Sequence, residues 1–96
     1  MKVVEITPKV HDLKTWPKPF QAVWDGDKTA EIRLNDRAFE VGQSLLLREY
    51  DPETKTFSGR YVWGKITHIL SGGFGLRENY VMMSFVAYDA GPGMRG

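Results

Sequence analysis

Apolar positions along the chain fall into short, separate runs, and their spacing predicts a mainly β molecule with one principal helix. Val3, Val4 and Ile6 suit an edge strand that Pro8 would limit. His11 to Lys14 reads as a short strand. Trp16, Phe20 and Val23 then recur at helical spacing on one face, with Thr15 placed to N-cap, Pro17 suited to the first turn and Pro19 early enough to be tolerated. Gly26 lies where a left-handed C-terminal cap is expected. From Lys28 to Leu34 the alternation is strict: Ala30, Ile32 and Leu34 occupy one face, Thr29, Glu31 and Arg33 the other. Asn35 and Asp36 begin a turn, and Phe39 to Gly42 reads as a tight connection. Leu45 to Tyr50 and Arg60 to Leu70 are strand-like runs joined by Asp51-Pro52-Glu53-Thr54, a type I turn with Pro second. After a loop at Ser71 to Gly75, a last strand from Tyr80 to Tyr88 places Val81, Met83, Phe85 and Ala87 on one face. This order predicts an α+β, mainly β fold: a small antiparallel barrel with the helix packed over its mouth.

The 96 residues suffice for one modest core, so a single domain over 1–89 is expected, with a flexible tail over 90–96 where Gly91, Pro92, Gly93 and Gly96 have nothing to bury. The chain has no cysteine, which excludes disulfides, thiolate nucleophiles and cysteine metal sites. A net charge of +1 argues against coating duplex DNA by charge alone but is compatible with a local basic mouth. No apolar run approaches the ~20 residues of a membrane span. Met1 to Val10 lacks the apolar core of a secretory signal, so a cytoplasmic location is expected.

The candidate chemistry centres on Gly26 to Arg37. On one strand face Thr29, Glu31 and Arg33 are separated by roughly 7 Å between next-but-one Cα atoms. Long side chains at that spacing converge either on a small ligand or on each other. In the first reading Arg33 holds a phosphate, carboxylate or carbonyl with its planar fork, Glu31 accepts protons or activates water, and Lys28 stabilises an oxyanion or acts as a base. In the second, Glu31 and Arg33 form a structural ion pair and Lys28 is solvated. Asp36 suits turn chemistry, bonding backbone amides, whereas a turn does not require Arg37. Trp16 and Phe20 suit stacking or core packing, with the core the commoner use of a helical aromatic stripe; Trp24 and Trp63 read the same way. Tyr80 and Ser84 lie opposite the apolar face of the last strand and line either a cleft or solvent. His11 and His68 have no metal-ligand spacing. Gly26-Asp27-Lys28-Thr29 fails as a phosphate loop, because Asp27 separates Gly from Lys and a strand follows.

Three pieces of the chain resemble the ASCH domains, a branch of the PUA-like superfamily. They are His11-Asp12-Leu13-Lys14 with Trp16 and Phe20; Gly26, Lys28, Glu31, Arg33, Asn35, Asp36 and Arg37; and Gly72-Gly73-Phe74-Gly75 followed by Tyr80-Val81-Met82-Met83. The stretch resembles, in particular, a small bacterial and phage family within that superfamily. The resemblance implies a PUA-like β-barrel with a cleft beside the first helix, and a role with RNA or modified nucleosides. Some ASCH proteins resemble amidohydrolases acting on acetylated cytidine, and others ribonucleases. In the hydrolase branch the lysine corresponding to Lys28 is a catalytic candidate, but a threonine stands where this chain has Glu31, and a carboxylate differs from a hydroxyl in charge and protons.

The resulting expectation is an RNA- or nucleotide-binding module whose partner is single-stranded RNA or a modified nucleoside, with neither cofactor nor metal. Lys28 and Glu31 are the candidate catalytic pair; Lys14, Trp16, Arg33, Asn35, Arg37, Tyr80 and Ser84 are the candidate ligand contacts. The alternatives are a small hydrolase, either an amidohydrolase on acylated cytidine or a ribonuclease, and a phage-type protein that binds a host protein.

Overall fold

The computed structural model describes residues 9–92, so the strand expected at Val3 to Ile6 and the last four residues of the expected tail lie outside the described residues. The elements are β1 (Val10–Thr15), α1 (Pro17–Trp24), β2 (Ala30–Leu34), β3 (Ser44–Asp51), β4 (Thr56–Ser71) and β5 (Tyr80–Gly91). They build one five-stranded sheet in the order β1-β3-β4-β5-β2.

The pairing corrects the expectation of a wholly antiparallel sheet. β1 runs parallel to β3, with Leu13 opposite Leu47, while the other three ladders are antiparallel. A parallel neighbour needs a long crossover, and α1, β2 and the turn after it supply the connection. The sheet does not close into a barrel by backbone pairing: β1 and β2 are its two edges. It curls until those edges face each other, and side chains cross the gap. Arg33 Nη2 donates to the Lys14 carbonyl at 2.8 Å, and Arg37 Nη1 donates to the Asp12 carbonyl at 2.8 Å. The result is a mainly β half-barrel with one short helix.

Inside the curl the alternating strands place Leu13, Leu45, Leu47, Val62, Ile66, Val81, Met83 and Phe85 in one core, joined by Phe20 and Val23 from α1 and by Phe39. Helix entry differs from the sequence expectation. Thr15 is the last residue of β1, and Trp16 is the N-cap residue, with no side-chain cap bond. The prolines explain why none is required: Pro17 and Pro19 lack N–H groups, so two of the first-turn donors that a cap would serve do not exist. The exit matches expectation. Gly26 adopts φ +82°, Gly26 N–H bonds the Val23 carbonyl at 3.0 Å and Asp27 N–H bonds the Ala22 carbonyl at 2.9 Å, a Schellman closure.

The β3–β4 turn is one residue longer than a type I turn, closed by Lys55 N–H on the Asp51 carbonyl at 2.7 Å. β4 begins at Thr56, and β5 continues through Ala90 and Gly91, beyond the expected strand end at Tyr88. At the far end of that ladder Gly91 pairs with Tyr61, whose hydroxyl would lie 2.6 Å from a Cβ at this position. Gly64 has a similar role, since a Cβ there would lie 2.6 Å from the buried Phe85 ring.

Arg60 ties the helix to the sheet. Its Nε and Nη2 meet Glu49 Oε1 and Oε2 at 3.0 Å each, and Nη2 also bonds Gln21 Oε1 at 3.0 Å. The same guanidinium lies 5.1 Å from the Phe20 ring centroid and 4.9 Å from that of Trp24. The hydrogen bonds from Arg60 hold the Glu49 carboxyl below its ordinary value; burial opposes this, and the Ser58 hydroxyl and the Arg60 charge reinforce it.

Two outcomes follow. Because the folded Glu49 pKa lies below its unfolded value of about 4.5, the pair stabilises fully above that pH and loses its contribution as pH falls through the folded value. Urea midpoints measured on either side of that pH are expected to show a wild-type advantage over Glu49→Gln that shrinks in acid. Gly64→Ala is expected to cost about 1–3 kcal/mol by the same measurement, because the Phe85 ring must leave its place in a packed core.

Candidate functional site

β2 keeps its predicted alternation but buries the charged half. Glu31 is 4% exposed, whereas Ile32 and Leu34 on the other face are 58% and 45% exposed. The sheet's curl explains the inversion: the inward face of this edge strand looks across the gap toward β1, where polar groups are needed to bridge. Glu31 Oε1 lies 2.5 Å from Lys28 Nζ, and Oε2 accepts from Arg33 Nε at 3.1 Å. Lys28 Nζ also donates to the Ala30 carbonyl. One carboxylate therefore pairs with two cations and fixes both, and the group keeps a net positive charge.

Around this triad runs a cleft of about 710 Å³. Lys14, Thr15, Trp16 and Pro19 form one wall; Asp27 to Arg33 and Met82 form the other. Trp16 is 61% exposed, so its indole is not part of the core. Arg33 commits Nε to Glu31 and one Nη2 hydrogen to Lys14, leaving three of its five N–H groups unengaged among the described residues. Lys28 commits two of its three. The ammonium of Lys14 lies 4.5 Å from the Tyr50 ring centroid, apart from the other two cations.

The cleft thus gathers Lys14, Trp16, Lys28, Glu31 and Arg33 from the residues singled out in the sequence. The others lie elsewhere. Asn35 and Tyr80 line a second depression of about 630 Å³ beside the Gly72–Gly73 loop. Asn35 Oδ1 accepts from Phe39 N–H at 3.1 Å, so the turn chemistry expected of Asp36 is carried by Asn35. Asp36 is exposed and only 4.0 Å from Arg37 Nε. Arg37 is engaged by the Asp12 carbonyl in the edge bridge. Ser84 is half-buried opposite Ala30 in the β2–β5 ladder and lines neither of these clefts. Phe20 belongs to the core and Trp24 packs against it. His11 is buried, bonded to Gln43 Oε1 at 2.7 Å and packed on Phe39; His68 is exposed.

Sequence reasoning missed Thr15, whose hydroxyl is buried at the cleft and has no hydrogen-bond partner among the described residues. Its position before two prolines suggested a cap. The buried alternation of His11, Leu13 and Thr15 was the signal that could have extended β1 through it.

Residues 10–85, from the start of β1 into β5 and including both cleft walls, match the family described as Domain of unknown function (DUF3850). The chain belongs to this DUF3850 family. It is also similar to the "Uncharacterized 12.9 kDa protein in GpA 3'region" of Escherichia phage P2, with 37% identity over 75 residues that cover 78% of this chain. The aligned part spans 66% of the phage protein, just under two thirds of its length.

Truncating Glu31 to Ala is expected to leave Lys28 and Arg33 facing each other without a counter-charge and to free the Arg33 side chain from its bridging pose. Urea denaturation should then report a loss of about 2–3 kcal/mol, discounted from a fully buried pair because both cations are partly exposed.

Proposed function

We propose that this chain is an ASCH-related, PUA-like module that binds single-stranded RNA or a nucleotide in the cleft between β2 and the β1–α1 junction. The observation that carries this reading is the pairing of unengaged Lys28 and Arg33 donors on one wall with the exposed Trp16 indole on the other. Phosphate or base carbonyl oxygens suit the cationic donors, and a base suits the indole face. Ile32 and Met82 add apolar surface to the same cleft. The three-part resemblance to ASCH domains supports the same class of ligand.

The hydrolase reading has less support. Glu31 is buried and both of its oxygens are engaged by cations, so it is poorly placed to take a proton from water or substrate. Turnover of acylated cytidines or of RNA by the wild type, lost in Lys28→Ala, would restore that reading.

Binding of hexaribonucleotides tests the module directly. Affinity is expected to fall with rising salt, with a log–log slope of about −0.7 to −1.4 for one or two phosphates of a single strand met by cations. Trp16→Ala is expected to weaken binding by at least about fivefold at unchanged thermal stability, given the exposure of the ring. Equal affinity for wild type and Trp16→Ala would sink the assignment to this cleft.

A further inference from the structure

We propose that the Thr15 hydroxyl is a specificity-determining contact in the cleft, pairing with an N–H group on the polar edge of a bound nucleobase. The proposal rests on the nucleotide-binding reading of the same cleft and adds the group that selects among bases.

Thr15 is 2% exposed, and its Oγ1 is the one buried side-chain polar atom among the described residues that has no hydrogen-bond partner. Buried hydroxyls are ordinarily satisfied, because an unmade hydrogen bond costs stability. Local structure gives Thr15 no compensating task. α1 uses no side-chain cap, and two of the donors a cap would serve are absent at Pro17 and Pro19. A valine has the same branched shape, fits a strand equally well and would remove the unsatisfied atom. Thr15 is one of the residues that line the cleft with Trp16, Lys28, Glu31 and Arg33.

Its chemistry supplies a buried acceptor, whereas the Asp27 carboxylate and the Thr29 hydroxyl in the same lining are exposed. Lys28 and Arg33 only donate, and the Glu31 oxygens are already bonded to them. A hydroxyl also accepts. The cleft therefore favours a base edge that carries a carbonyl for Arg33 or Lys28 and, beside it, an amino or imino N–H for Thr15. Uracil and guanine carry both side by side; in cytosine the acceptor N3 separates the carbonyl from the amino group, and adenine has no carbonyl.

The test is titration of the full chain with the hexaribonucleotides A6, C6 and U6, using wild type, Thr15→Val, Thr15→Ser and Trp16→Ala, with melting temperatures recorded for each. Wild type is expected to bind U6 more tightly than A6 or C6. Thr15→Val should lower the tighter affinity about tenfold, toward that of A6, while changing A6 less than about twofold. Its melting temperature should equal or exceed that of wild type, and Thr15→Ser should retain the wild-type ranking. A Thr15→Val protein with wild-type affinities and ranking overturns the proposal. So does a melting temperature lowered by more than about 5 °C, which would mark a structural hydroxyl. Weaker binding in Trp16→Ala alongside unchanged Thr15→Val would leave the nucleotide reading standing and remove only the role of Thr15. Failure of wild type to bind any of the three removes both.

Discussion

The carboxylate of Glu31, held between Lys28 and Arg33, is the constraint on which the half-barrel and its cleft both depend. A buried carboxylate is costly unless its charge is met, and here two cations meet it, Lys28 from the segment before β2 and Arg33 from β2 itself. The pairing through Nε orients the Arg33 guanidinium so that Nη2 reaches the Lys14 carbonyl on the opposite edge. That one side chain thus connects the interior ion pair to the closure of the sheet. The remaining donors of the same cations are thereby fixed on the cleft wall.

This closure differs in kind from a backbone ladder. Direct pairing of β1 with β2 would bring the edges to about 4.8 Å and leave no room between them. Arginine side chains bridge a wider gap while still satisfying carbonyls on an otherwise unpaired edge. Arg37 does the same for Asp12 farther along β1. Both edges are thus partly masked from pairing with other chains, a recurrent hazard of open sheets. The space the arginines leave open is the cleft, so the incompleteness of the barrel and the presence of a site have one cause. Arg60 performs a related task, joining Glu49 to the Phe20 and Trp24 rings of α1.

Much of this was legible in the sequence, because it is written in local rules. The alternation in β2 and β5, the apolar stripe of α1 and the left-handed Gly26 each follow from periods or backbone preferences spanning a few residues. What was illegible depends on distant partners. Nothing in His11 to Lys14 specifies that β1 will lie parallel to β3, because that choice belongs to the route of the intervening chain. Asn35 and Asp36 are equivalent as turn formers until the Phe39 amide is placed beside one of them. Thr15 sits at a boundary where a capping threonine and a strand threonine look alike, and only the two prolines, by removing donors, decide the matter. Tyr80 was a cleft candidate because it lies opposite the apolar face of the last strand; the fold places it in the depression beside the glycine loop.

The candidate site was easier to locate than its chemistry because location needs only residue types, whereas chemistry needs to know which groups remain uncommitted. In the sequence Glu31 reads equally as a general base or as half of an ion pair. In the fold its two oxygens are bound by the cations that would have been its catalytic partners. After the internal pairings, the residues lining the cleft offer unengaged N–H donors on Lys28 and Arg33, the exposed indole of Trp16, the exposed side chains of Asp27 and Thr29, and the unpaired hydroxyl of Thr15. These groups suit recognition by charge, hydrogen-bonding pattern and stacking. General-base chemistry would call on the carboxylate at the centre of the cleft, and there each Glu31 oxygen already carries a cationic partner.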